Sequence, residues 1–252
     1  MNVALIGSGN VATHIAKALK AVNVNVTQVW SYHYQNASLL ANDVNAVALK
    51  DLSEVNLDAD ICLIAIKDDE IVNVASHLKS FKGVIAHTSG SVSLSVFNNF
   101  EKFGVFYPLQ TFSKNKDVDF STIPLCVEAS NKESLAVLKE LANKLSANVV
   151  EVNSDKRKIL HLAAVFACNF TNHLYALADD LLKSNGLSFD MIRPLITETA
   201  SKVQHALPLI VQTGPAIRRD EKTLQMHQEL LNDHQAMLEI YKILSNSIKK
   251  TI

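Results

Sequence analysis

The chain has 252 residues, 48% of them hydrophobic and 19% charged, and its 24 Lys and Arg nearly balance 25 Asp and Glu to leave a net charge of −1. That balance leaves no basic field for nucleic acid or an anionic membrane, and it supplies apolar material for one large or two ordinary packed domains. No apolar run reaches the roughly 18 residues of a membrane span and no basic-then-apolar leader is present, so a cytoplasmic protein that meets no membrane is expected.

Asn2–Ile6 predicts a short buried strand, followed at once by Gly7-Ser8-Gly9-Asn10-Val11-Ala12. From Val11 to Leu19 apolar residues fall at helical spacing. Strand, Gly-x-Gly-x-x-Ala turn and helix in that order are what a dinucleotide-binding βαβ unit requires. Gly7 permits the tight turn, Gly9 lets backbone approach a pyrophosphate, and Ala12 is small enough for the helix to pack on the strand. The helix N-terminus near Asn10 then aims free N–H groups at the phosphates. A tight turn with no ligand is the alternative.

A second strand follows at Asn25–Ser31, a short helix at about Asn36–Asn42, and a third strand near Ala46–Ala48. Asp60–Ile66 is almost continuously apolar, the pattern of a central parallel strand covered on both faces. A helix over Asp69–Leu78 and strands at Gly83–Ala86 and Gly104–Tyr107 come next. Strand Pro124–Ala129, helix Lys132–Leu145 and strand Asn148–Val152 complete the alternation, which predicts a doubly wound parallel sheet.

After residue 153 no strand pattern remains. Helical periodicity runs over Asp155–Ser184, Ser188–Ala206, Glu221–Leu231 and Asp233–Lys249. The predicted domains are therefore 1–153, α/β, and 154–252, all-α. Leu160–Leu177 is apolar around so much of its circumference that it suggests a domain spine or a dimer interface. Cys62, Cys126 and Cys168 lie in apolar runs and are expected as buried, reduced thiols; no Cys/His cluster has metal-ligand spacing.

Ligands of an open parallel sheet sit beyond the carboxyl ends of its strands. The ends here are Gly7–Val11, Ser31–His33, Ile66–Asp68, His87–Ser91 and Tyr107–Thr111. Candidate cofactor contacts are Gly7, Ser8, Gly9, Asn10, Val11, Ser31, Ile66, Lys67 and Thr88. Ser31 stands where an NAD-preferring protein usually carries Asp or Glu, which favours NADP, with NAD the alternative. Ser89 either hydrogen-bonds a nicotinamide amide or a substrate carboxylate, or it or Ser91 caps the next helix. On the long helix His161, Val165 and Asn169 follow i, i+4, i+8 spacing. Polar groups on such a strip are costly to bury unpartnered. Facing a cleft, His161 is a candidate proton relay, since imidazole titrates near neutrality, and Asn169 a candidate for orienting a carbonyl or imine. All four arginines follow residue 156. Arg218 is the candidate donor to a substrate anion.

The segments GSGNVATHIAKAL (7–19), HTSGSVS (87–93), GVFYPLQTF (104–112), HLAAVFACNFTNHL (161–174) and TGPAIRRD (213–220) together resemble a family of NADP-dependent oxidoreductases. That family has a Rossmann-like N-terminal domain and a helical C-terminal domain of unknown function. More distantly the chain is similar to pyrroline-5-carboxylate reductase, 6-phosphogluconate dehydrogenase and ketopantoate reductase. The resemblance implies a 6-phosphogluconate-dehydrogenase-like helical domain and dimerisation through it. The chain departs from the pattern at Tyr32, where relatives often carry Arg, and at Arg219, where they carry Gly. Tyr107 replaces a His, removing a possible acid/base residue. The Lys-x-x-x-Asn pair of the β-hydroxyacid dehydrogenases is absent, since Leu162 follows Lys158. Two functions compete. One is hydride transfer between a nicotinamide and a small C=O or C=N substrate; the other is a non-catalytic NAD(P)-binding regulator. A methyltransferase using S-adenosylmethionine fits the glycine spacing less well.

Overall fold

The computed structural model describes residues 1–251. The chain divides into two compact units, Met1–Asn169 and Phe170–Ile252. The first unit opens with β1 (Asn2–Ile6), α1 (Asn10–Ala21), β2 (Asn25–Trp30), α2 (Tyr34–Val44) and β3 (Val47–Leu49). It continues with β4 (Ile61–Ile64), a 3-10 turn at Asp68–Glu70, α3 (Ile71–Ser76), β5 (Val84–His87) and β6 (Phe103–Pro108). β7 (Leu125–Ala129), α4 (Lys132–Leu145), β8 (Val149–Glu151) and α5 (Ser154–Ala164) complete its regular elements, with a π-helical turn at Val165–Phe170 following.

The eight strands form one sheet in the order β3-β2-β1-β4-β5-β6-β7-β8. Strand order reverses between β1 and β4, so a crevice opens there at the carboxyl ends. Apolar residues on successive positions fill both faces, as a doubly covered strand requires. Val3, Leu5 and Leu63 pack with Ile15, Leu19 and Leu141 in one core. Ala4, Ile6 and Ile64 pack with Ile71, Leu78 and Phe97 in the other.

The sheet departs from the expected all-parallel pattern at one pair. β7 runs antiparallel to β6, with Tyr107 opposite Cys126, and β8 is parallel to β7. The 109–124 connection contains only a 3-10 turn at Phe120–Thr122. A parallel return needs a crossover of a dozen or more residues, usually a helix; without that helix the chain comes back antiparallel.

α5 begins at Asn153, whose side chain accepts from the Lys156 N–H at 3.0 Å. Arg157, one turn later, is fully buried and ion-paired to Glu128 on β7. Its other terminal nitrogen donates to the Val92 carbonyl. This arginine is a structural tie.

The second unit holds α6 (Thr171–Ser184), α7 (Arg193–His205) after a 3-10 turn at Phe189–Ile192, α8 (Glu221–Leu230) and α9 (Gln235–Lys249). Asp220 caps α8, accepting from the Thr223 N–H at 3.1 Å. Among its described residues the buried hydrophobics are Ala216, Leu224, Leu231 and Leu238. Leu195, Leu207, Ile210, Leu230 and Ile243 are each more than 60% exposed. An apolar cavity of about 540 Å³ lies among Leu177, Leu181, Leu231, Ile240 and Tyr241. Cys62 and Cys126 are buried, but Cys168 is exposed, contrary to expectation. It sits in the π-helical turn, and neighbouring Phe166 is 63% exposed, so the apolar run that suggested burial is not covered within one chain.

His87 ends β5 with its ring fully buried against Phe97, centroids 5.5 Å apart. Its Nδ1 accepts from the Ser89 N–H at 3.2 Å. Burial, and secondarily the Arg157 charge, push its pKa down to about 4. Below the usual histidine value of about 6.5 the unfolded chain binds a proton that the native chain refuses, so stability is lost as pH falls from there toward 4. His87→Asn keeps an acceptor for the Ser89 N–H and removes the titration. Urea unfolding at pH 7 and pH 4 should therefore show the parent's advantage over this variant shrinking by up to roughly 3 kcal/mol. A pH-independent difference contradicts the buried neutral ring.

Candidate active site

The turn after β1 is shaped by two glycines with different jobs. Gly7 has φ +123°, and a Cβ there would lie 2.1 Å from the Ala65 carbonyl oxygen, so the adjoining ends of β1 and β4 exclude a side chain. Its N–H donates to the Trp30 carbonyl at 2.7 Å, which ties the turn to β2. Gly9 caps α1 without any side-chain hydrogen bond. A Cβ on Gly9 would meet nothing within 4 Å. Packing thus does not require this glycine; the open space above it is the cleft. Ala12, fully buried, brings α1 onto the sheet.

A cleft of about 800 Å³ lies over the carboxyl ends of β1, β2, β4, β5 and β6. Gly7, Ser8, Gly9, Asn10 and Val11 line it from the first turn and the start of α1. Ser31 lines it from the end of β2, with its hydroxyl 2.8 Å from that of Ser8. Ile66 and Lys67 contribute from the end of β4, and Thr88 and Ser89 from the end of β5. The first N–H groups of α1 have no intrahelical partner and no side-chain cap, so the cleft floor is an array of backbone donors.

The Ser89 hydroxyl accepts from the N–H groups of Ser91 at 3.1 Å and Val92 at 3.0 Å. It therefore shapes its own loop while still bordering the cleft; the next helical turn, Leu94–Phe97, is capped not by Ser89 but by Ser93. Ser91 in turn donates to the Asp68 carboxylate.

His161 reaches the same cleft from α5. Gly90 makes room for it: a Cβ on Gly90 would lie 2.7 Å from the imidazole Cγ and Nδ1. The Tyr107 hydroxyl stands 3.0 Å from His161 Nδ1. Burial pushes the Tyr107 pKa up to about 12, so the phenol keeps its proton and its hydroxyl can donate a hydrogen bond to an unprotonated Nδ1. Once His161 is protonated the same oxygen accepts from Nδ1, because a hydroxyl serves in either role. Nε2 is then the nitrogen left for a ligand.

Sequence reasoning took the tyrosine as a lost acid/base position; the structure shows it paired with the histidine. The signal was available, since Tyr107 ends a strand whose carboxyl end borders the cleft. Another candidate of the first unit does not line the cleft. Asn169 is exposed and does not line the cleft. The π-helical turn at Val165–Phe170 widens the helical repeat, so the four-residue spacing from His161 no longer keeps one face. Arg218 is an exposed residue of the second unit, beside the positive-φ residue Arg219.

Residues 2–88 match the family described as NADP oxidoreductase, coenzyme F420-dependent. Residues 123–248 match the domain of unknown function DUF2520. A Bacteroides fragilis protein provisionally named an NADP oxidoreductase is 44% identical over 99% of this chain and 98% of its own, with a TM-score of 0.93. The chain belongs to this family of Rossmann-fold, NADP(H)-oxidoreductase-like proteins.

Wider likeness is of fold. An imine reductase from Myxococcus stipitatus, solved with NADP+, is 13% identical over 99% of this chain and 93% of its own, with a TM-score of 0.71. A 1-pyrroline-5-carboxylate reductase from Streptococcus pyogenes is 15% identical over 99% and 98%, with a TM-score of 0.63. The two-part architecture of the family, a Rossmann-like sheet followed by helices, is thus shared well beyond close relatives. No curated protein matches the chain.

The open approach at Gly9 yields a direct test. Gly9→Val puts a branched side chain at a position where a Cβ meets nothing within 4 Å, on the side of the cleft. The variant should melt within a few degrees of the parent yet lose NADPH binding by at least roughly tenfold in calorimetric titration. A variant that folds and binds as tightly as the parent places the pyrophosphate elsewhere.

Proposed function

We propose that the cleft binds NAD(P)H, with NADP(H) preferred, and that the protein transfers a hydride between the nicotinamide and a small carbonyl or imine substrate. The observation that carries this reading is the meeting, in one cleft at the reversal of strand order, of a bare glycine turn at a helix N-terminus with the Tyr107–His161 pair. The residues present fit such a cofactor: Gly9 leaves clear the approach that a Cβ would fill, and uncapped α1 donors face it. The names of the Bacteroides fragilis relative and of the imine reductase point to the same chemistry.

Bound there, the dinucleotide supplies the hydride, and the protein supplies orientation and a proton. Backbone N–H groups at the start of α1 hold the pyrophosphate. The Thr88–Ser91 loop, held in shape by the Ser89 hydroxyl, borders the reacting end. His161 donates a proton from Nε2 to the substrate oxygen or nitrogen that gains charge as hydride arrives. Tyr107 keeps the ring oriented by pairing with Nδ1 before and after that transfer.

The reading includes a homodimer built through the helices. A helical unit whose described residues bury only Ala216, Leu224, Leu231 and Leu238 falls short of a core able to stabilise it alone. A second copy would cover its exposed leucines and isoleucines. Light scattering at micromolar concentration should return twice the 27.7 kDa of one chain. A single-chain mass contradicts the dimer.

His161→Ala should lower turnover with an accepted substrate by roughly 10²-fold or more while NADPH affinity stays within about twofold. Tyr107→Phe removes only the partner of Nδ1, so it should cost less and displace the pH dependence of kcat. Unchanged turnover in His161→Ala rules out this proton donor.

A further inference from the structure

A smaller recess of about 200 Å³ opens beside the main cleft, and the two share Ser8, Asn36 and Lys114. Lys17 of α1 and Thr13 also line the recess, with Asp43 as its one acid. Neither Lys17 nor Lys114 makes an ion pair among the described residues. Lys114 is not on a free-swinging loop. The Asn10 side chain donates to the Phe112 carbonyl at 2.9 Å, and His14 Nε2 lies 2.9 Å from the Ser113 carbonyl oxygen, so α1 grips the strap on which Lys114 sits. Phe112 also packs on the His14 ring and stacks on Phe120.

The recess adjoins the end of β2, where the adenosine ribose of a dinucleotide lies in this type of fold. Ser31 stands there in place of an acid, bonded to Ser8 at the rim of the recess. We infer that the recess is the seat of the 2′-phosphate of NADP(H), and that Lys114, reaching it from the β6–β7 connection, is the principal residue selecting NADP(H) over NAD(H). The inference rests on the dinucleotide reading of the cleft. Lysine serves as a point charge for phosphate where no arginine is present. Every arginine of this chain follows residue 156, so the charge comes from lysines, with Lys17 adding a second. Ser31 and the Asn36 amide supply neutral donors beside them.

Binding alone tests this, without turnover. NADPH and NADH are titrated separately into the parent, Lys114→Gln and Lys114→Arg by calorimetry, with circular dichroism as the check on folding. The parent should bind NADPH at least roughly tenfold more tightly than NADH. Lys114→Gln should lose about tenfold in NADPH affinity and keep its NADH affinity within about twofold, while Lys114→Arg keeps the preference. An unchanged NADPH-to-NADH ratio in Lys114→Gln, or a parent that binds both alike, overturns the assignment while leaving the cleft a dinucleotide site. A parent that binds neither overturns the dinucleotide reading itself, and this inference with it.

Discussion

The guanidinium of Arg157 sits fully buried where three parts of the first unit meet: α5, which carries it, β7, through Glu128, and the loop after β5, through the Val92 carbonyl. Burying that charge is offset by the partners of its two terminal nitrogens, a carboxylate and a carbonyl, while Nε is buried without one. Ser154 strengthens the arrangement, its N–H donating to Glu128 at 2.9 Å and its hydroxyl to the same carboxylate at 2.8 Å. One turn further along α5 comes His161. The tie therefore sets the distance from the helix to the Thr88–Ser91 loop. It is what lets the imidazole rest against Gly90 and meet Tyr107. The geometry of the His161–Tyr107 pair thus depends on a contact outside the cleft.

The two ends of the cleft are built by different means. At the glycine turn the donors are backbone groups, fixed by a positive φ at Gly7 and by the bond from its N–H to Trp30. Such donors need no reorganisation when a phosphate arrives. At the other end the groups are side chains on three separate elements, β5's following loop, β6 and α5. Their order is held by hydrogen bonds to one another and to backbone. One end of the cleft thus offers fixed backbone donors, the other side chains held by one another.

Much of the first unit was legible because its signals are local. A glycine turn between an apolar strand and an amphipathic helix has few alternatives, and Ile61–Ile64 is continuously apolar because it is covered on both faces. What stayed hidden depends on non-local geometry. Nothing within 109–124 tells whether the next strand returns parallel or antiparallel, and the missing crossover helix is a weak sign. The π-helical turn carries no distinctive composition, yet it breaks the four-residue register that put Asn169 beside His161. Arg157 resembled the other arginines in sequence, and only the position of Glu128 on β7 makes it structural. Tyr107 was judged as a replacement when its partner, 54 residues away, was the informative fact.

A crystal structure of the protein with NADPH bound tests the central claim most directly. The account predicts the pyrophosphate on the N–H groups at the start of α1 and the nicotinamide beside the Ser89–Ser91 loop. His161 Nε2 should lie within about 8 Å of the nicotinamide, close enough to serve a substrate directly or through one water. A dinucleotide seated away from Gly7–Val11, or one whose nicotinamide lies farther than that from both His161 and Tyr107, contradicts it.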